Sequence, residues 1–192
     1  ILLKDSLHIE QLENLTPGYN KENIYNVMGL MKNAKYNKKG KINDVKYRFY
    51  DAGHIPGSAS ILLKYHHKKI LYTGDINSTD TFLLKGSDYN IRDVDVMICE
   101  STYGDRDHSN RQKTVTDFLN KIQKTLDRGG TALIPAFAVG RSQEVLMMLA
   151  SRKWKCPIYL DGMSKKITNI FQRRSDFLKE EYGLKDTMKN VK

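Results

Sequence analysis

The chain has 192 residues, 40% of them hydrophobic, with 32 Lys and Arg against 22 Asp and Glu and a formal net charge of +10. That length and apolar content supply a folded core, and the longest apolar runs are broken by charge well short of the roughly 20 residues of a membrane span, which excludes a disordered chain and a spanning helix. The surplus of positive charge suggests a polyanionic partner, without saying which polyanion, and no membrane partner is expected.

Residues 1 to about 36 read as largely helical. The sequence Thr16-Pro17-Gly18 stops a first helix, and Asn20 opens a second whose apolar residues are Ile24, Val27, Met28, Leu30 and Met31. Lys38-Lys39-Gly40-Lys41 reads as a solvated turn. Val45, Tyr47 and Phe49 then alternate with Lys46, Arg48 and Tyr50, a strand pattern, and two further strand-like runs, 60–63 and 69–72, flank a turn at His66-His67-Lys68. The run 94–99 is short and β-branched, which predicts a strand buried within a sheet, and Cys99 and Cys156 are expected to be buried thiols of a reduced compartment. A helical stripe over 114–126 stops at Arg128-Gly129-Gly130. Beyond it the pattern predicts a strand at 131–135, a helix through Glu144 to Ala150, a strand at 157–160 and a helix from about Ser164, the alternation of a parallel α/β unit. Neither Ile1 nor Lys192 reads as a natural terminus, so the chain is expected to be part of a longer polypeptide. The expected location is cytoplasmic, or nuclear in a eukaryote.

Chemistry concentrates where the strands stop. His54 stands in Asp51-Ala52-Gly53-His54-Ile55-Pro56-Gly57, a loop in which a ring nitrogen can ligate a metal or merely hydrogen-bond a turn. Asp75 follows Tyr72-Thr73-Gly74, and taken singly it reads as a cap for Ile76-Asn77-Ser78. Glu100 ends the run through Cys99, where a carboxylate costs energy unless it is paired or coordinated. His108, in a charged loop nearby, is a possible supporting group, whereas His66-His67 reads as solvated and His8 carries no signal. Arg141-Ser142 open a helix directly after Phe137-Ala138-Val139-Gly140. Backbone N–H groups, helix dipole and guanidinium would converge there as a phosphate site, unless this is a plain helix start capped by Ser142.

Taken together, Asp51 to Ala59, Tyr72 to Asp75, Glu100 to Asp105 and Ile134 to Glu144 resemble the metallo-β-lactamase superfamily, and within it the β-CASP nucleases that process RNA. Tyr159 to Ser164 echoes the same family more loosely. The resemblance implies an α/β fold: part of a metallo-β-lactamase αββα sandwich over 1–112, plus the start of an α/β β-CASP cap domain over 113–192. It further implies that His54 ligates one metal, that Asp75 bridges two zinc ions and shares in catalysis, and that Glu100 is the catalytic acid position paired in relatives with a cap-domain histidine. Arg141 and Ser142 would then face RNA. The Glu100-Ser101-Thr102-Tyr103-Gly104 form resembles the RNA branch more than the DNA-repair branch. The activity that the resemblance implies is zinc-dependent RNA phosphodiester hydrolysis, endonucleolytic and in addition 5′–3′ exonucleolytic in some relatives, with a homodimer or a β-CASP partner subunit as company. The competing expectations are a non-catalytic RNA-binding scaffold subunit and a DNA-directed nuclease of the same superfamily. The family's upstream His-rich metal motif and its two later cap-domain histidines are absent from these residues. The chain alone is therefore expected to be inactive.

Overall fold

The computed structural model describes residues 1–88, 90–179 and 183–192 and divides into two compact units, Ile1–Lys35 and Tyr36–Lys192. In the first, α1 (Leu2–Leu12) packs on α2 (Lys21–Leu30), and Leu7 and Ile24 are the buried positions of the pair. Asn20 starts α2 as its sequence predicts. Its side chain accepts the Asn23 N–H while the Asn23 side chain accepts the Asn20 N–H, each at 2.9 Å, so two helix-end donors are satisfied reciprocally.

The second unit is built on a five-stranded sheet in the order β1 (Lys39–Ile42), β2 (Val45–Asp51), β3 (Ala59–Tyr65), β4 (Lys68–Tyr72) and β5 (Val96–Ile98). The first four are antiparallel neighbours, and β5 joins β4 in parallel. The lysine-rich segment expected to be a turn is in fact the edge strand β1, and the chain reverses at Asn43-Asp44 instead, with Asn43 in the left-handed region at φ 50°. Side-chain alternation divides the sheet. One face carries Tyr47, Phe49, Ile61, Leu63 and Ile70, and the other carries Lys46, Arg48, Tyr50, Leu62, Lys64 and Leu71. The expectation of burial fails for β5. It lies at the sheet edge with Val96 47%, Met97 58% and Ile98 52% exposed, because among the described residues only β4 flanks it. Cys99 is exposed with it, contrary to its expected burial, and both cysteines are free.

Helices follow. They are α3 (Arg111–Asp127), α4 (Arg141–Ala150), α5 (Met163–Arg173) and the short α6 (Leu184–Thr187), which matches the three helical patterns read between 114 and Arg173. α4 is the central one, burying seven of its ten residues. Met148 and Leu149 pack with Val115, Leu119 and Ile122 of α3, whereas Met147 packs with Ile167 and Phe171 of α5 and with Leu83, Leu84 and Leu184. The predicted strands at 131–135 and 157–160 do not form a ladder; among the described residues the one bridge there is Ile158 with Val191. Ala132 and Ile134 pack against the α3–α4 cluster, while the intervening Leu133 is 92% exposed, so the period-2 alternation is real and the pairing is not.

The start of α4 ties the helices to the loop before β5. Gln143, fully buried, accepts the Gly140 N–H through Oε1 at 2.9 Å and donates through Nε2 to Thr168 Oγ1 at 2.8 Å and Ala138 O at 3.1 Å. Glu144, 5% exposed, accepts the Phe82 N–H at 3.0 Å and the Leu83 N–H at 2.8 Å and pairs with the Arg111 guanidinium.

Candidate functional site

Three chain reversals at one end of the sheet bring the predicted chemistry together. The loop between β2 and β3 is wound tightly: Asp51 Oδ1 accepts the Gly53 N–H at 2.8 Å, and Ser58 Oγ accepts the His54 N–H at 3.1 Å and the Ile55 N–H at 3.3 Å. Gly53 sits at φ 68°, where a Cβ would lie 2.6 Å from both Asn77 O and Ser87 N, so only glycine lets this loop press onto residues 77 and 87. Asn77 completes the clamp, donating its backbone N–H to Ala52 O at 2.9 Å. Burial raises the Asp51 carboxyl pKa against the opposing pull of the Gly53 N–H. Burial also pushes the Tyr36 phenol, which donates to Ser58 O at 2.7 Å, up to about 12.

Directly after β4 comes the buried Thr73, whose N–H reaches Ile98 O at 3.0 Å and whose carbonyl accepts the Ser60 hydroxyl at 2.9 Å. Gly74, at φ 59°, then turns the chain so that Asp75 faces the first loop. The result is His54 Nε2 at 3.8 Å from Asp75 Oδ2, with the two side chains 46% and 75% exposed. Residues 76–79 form no helix, so the capping role that Asp75 alone suggested has nothing to cap.

Glu100 closes the third side. Its N–H lies 3.4 Å from Thr73 Oγ1, its Oε2 accepts the Thr102 N–H at 2.9 Å, and its Oε1 lies 3.4 Å from the Ile76 N–H, directly after Asp75. Hydrogen bonds from the Thr102 side chain first, then from the Thr102 and Ile76 backbone, with a smaller contribution from His54, hold its pKa below the usual carboxylate range. The carboxylate is therefore satisfied by the Thr102 side chain and the Thr102 and Ile76 backbone at an open strand end, and not by burial. His54 and Asp75 thus form a pair with Glu100 beside it, and among the described residues no group of three or more His, Cys, Asp or Glu is placed to hold a metal ion.

The other predicted groups lie elsewhere. His108 stacks on Tyr103 with ring centroids 4.4 Å apart, in the loop after Glu100, and Arg106 approaches the same Tyr103 ring at 5.3 Å. His66, at φ 50°, forms the β3–β4 turn against Tyr65 and is exposed, as expected. At the start of α4 the expected set of free N–H donors is largely taken. Arg141 N–H donates to Val139 O at 2.9 Å and Ser142 N–H to Phe137 O at 3.1 Å, and the Ser142 hydroxyl, buried, donates to the same carbonyl at 2.7 Å. Ser142 is neither the cap nor an open phosphate donor; the cap position is Gly140, and only the Arg141 side chain stands exposed. Sequence reasoning missed the Glu144–Arg111 link. An acid in the first turn of a helix looks like a dipole partner, and nothing local shows that residues 82 and 83 arrive to fill it.

A neutral imidazole nitrogen and a carboxylate oxygen are donors that zinc accepts, and two donors at about 2.1 Å from one tetrahedral ion stand about 3.4 Å apart. The 3.8 Å separation and the open exposure of both side chains fit that role with small adjustment.

No protein-family model matches the chain. A Methanocaldococcus jannaschii protein named as a probable RNase is 44% identical over 195 residues, which take in 100% of this chain and 46% of that protein. An RNase of Saccharolobus solfataricus is 44% identical over 154 residues, 77% of this chain and 31% of the relative. A cleavage and polyadenylation specificity factor subunit 3 of Dictyostelium discoideum is 34% identical over 162 residues, 80% of this chain and 21% of the relative. The chain spans less than half the length of each.

Proposed function

Since the chain belongs to the β-CASP group of the metallo-β-lactamase superfamily, a metal-dependent family, we propose that it carries part of the active site of a ribonuclease that hydrolyses RNA phosphodiester bonds with two zinc ions. The observation that carries this reading is the convergence of His54, Asp75 and Glu100 from three separate strand ends. Residues 1–112 are the later part of the metallo-β-lactamase core and 113–192 the beginning of the cap.

His54 would hold one ion through Nε2, in a loop whose backbone the Ser58 hydroxyl and the Asn77 clamp keep from rotating away. Asp75 presents two oxygens on an exposed turn and would help to hold the metal beside His54. Further ligands come from outside the described residues, since a catalytic zinc takes at least three from protein. Bound there, metal would supply charge neutralisation at the phosphate and lower the pKa of the attacking water. Glu100, held ionised by the Thr102 side chain and then by the Thr102 and Ile76 N–H groups, orients the proton donor to the leaving oxygen. Arg141 offers an exposed guanidinium to RNA phosphate, while Ser142 supports it only by fixing the turn at Phe137. His108 braces Tyr103.

The test is cleavage of a labelled single-stranded RNA by the full-length protein. Fragments form with zinc, vanish after chelation and return when zinc is restored. Cleavage that survives exhaustive chelation, or an RNA left intact at every zinc concentration while a DNA strand is cut, contradicts the proposal.

A further inference from the structure

The sheet register aligns a ladder of like charges. Lys41 of β1 lies opposite Lys46 of β2, Lys46 opposite Lys64 of β3, and Lys64 opposite Lys69 of β4. Directly opposed residues share a face, so four ammonium groups cross four strands in one row, about 14 Å long at about 4.8 Å per strand. Lys39, next to Lys41 on the same face, extends it. Like charges directly opposite are destabilising in a sheet. Neutralising partners are few: Lys69 Nζ lies 3.8 Å from Asp93, but among the described residues no carboxylate comes within ion-pair distance of Lys41, Lys46 or Lys64, all of which are exposed. A shallow concavity opens beside the row, lined by Asp44, Lys46, Lys64, Tyr65 and His66, with Asp44 its one acidic member. The row stands at the hairpin-tip end of the strands. Five residue steps along β2, about 17 Å, separate Lys46 from Asp51 at the end that carries His54 and Asp75.

A cationic row with few neutralising partners, on a chain of net charge +10, is complementary to a regularly spaced polyanion. We propose that Lys41, Lys46 and Lys64, flanked by Lys39 and Lys69, form a docking surface for the phosphate backbone of single-stranded RNA, distinct from the His54–Asp75 centre. The identification of the polyanion as RNA rests on the ribonuclease reading above. The surface grips backbone without reading sequence, and it tethers an RNA segment remote from the bond being cut.

The experiment is fluorescence anisotropy of a labelled single-stranded RNA with the full-length protein, titrated over a range of KCl in chelator so that no cleavage intervenes. The Lys41→Gln, Lys46→Gln, Lys64→Gln triple variant weakens binding at least tenfold at low salt. It also makes the log–log salt dependence shallower by about 2, three phosphate contacts at about 0.7 each. The matching triple arginine variant keeps the unmodified slope. The single Lys46→Gln variant, at the centre of the row, changes the slope by about 0.7 and keeps the test decisive whatever the stability of the triple variant. An unchanged slope in both glutamine variants overturns the proposal, as does displacement of the RNA by polyglutamate at equal charge, which would assign the face to an acidic protein. Failure of the nuclease reading shows instead as absence of cleavage with zinc present, which binding in chelator does not measure.

Discussion

Glu144→Ala lowers the stability of the unit that contains it by about 3 kcal/mol, because it removes the charged acceptor of two backbone N–H groups, each such bond worth about 1.5–3 kcal/mol, and leaves the buried Leu83 N–H with the longer contact to Thr81 Oγ1 at 3.2 Å. Phe82 and Leu83 donate to this carboxylate from a loop packed under α4, and at 5% exposure little water reaches the site. The Arg111 side chain is 39% exposed and can turn toward solvent, so the loss falls mainly on the two backbone donors. Heat denaturation shows the effect as a midpoint lower by about 6–12 °C, at about 2–4 °C per kcal/mol for a unit of this size. Arg111→Met costs less, about 1–2 kcal/mol, since the carboxylate keeps both N–H donors. A Glu144→Ala midpoint within about 2 °C of the unmodified protein, less than 1 kcal/mol on that scale, removes the carboxylate from this structural role.

His54→Ala and Asp75→Ala each reduce RNA cleavage by the full-length protein more than about 100-fold, beyond the 10–100-fold that loss of an outer partner of a metal site costs. Neither substitution unfolds the chain. Both side chains are largely open to solvent, and the loops that carry them are held by Ser58, Asn77 and Thr73, which stay in place. Glu100→Gln is milder in folding and specific in chemistry: the amide keeps one acceptor for the Thr102 N–H but loses the charge proposed to orient the proton donor. Single-turnover rates, measured on variants whose circular dichroism is unchanged, separate these outcomes. Rates within about tenfold of the unmodified protein for both alanine variants contradict the assignment of His54 and Asp75.

Much of the local structure was legible in the sequence because it is local. The Asn20 cap, the alternation through Val45, Tyr47 and Phe49, the exposed turn at His66 and the apolar stripes of α3 and α5 are all set by neighbours a few residues away. The candidates His54 and Asp75 stand out in the sequence for a related reason, since each follows a strand in a loop that turns on a glycine: Gly53 before His54, Gly74 before Asp75. What stayed hidden depends on partners remote in sequence. The run 94–99 has the composition of a central strand but occupies an edge, and 131–135 alternates as a strand should yet meets none among the described residues. Composition reports which face of a segment is apolar, and only the fold decides whether a neighbour comes to pair with it. The same limit explains Ser142 and Glu144. Both look like exposed helix-start residues, and both are buried because Phe137, Phe82 and Leu83 supply backbone groups that no nearby pattern announces.

Anomalous diffraction at the zinc edge, recorded from crystals of the full-length protein grown with zinc, reads the site directly. Two peaks are expected roughly 3.5–4 Å apart, one within coordination distance of His54 Nε2 and both within reach of the Asp75 carboxylate. Peaks remote from these side chains, or zinc bound elsewhere while the His54 ring remains free, contradict the reading of this strand-end cluster as a metal centre.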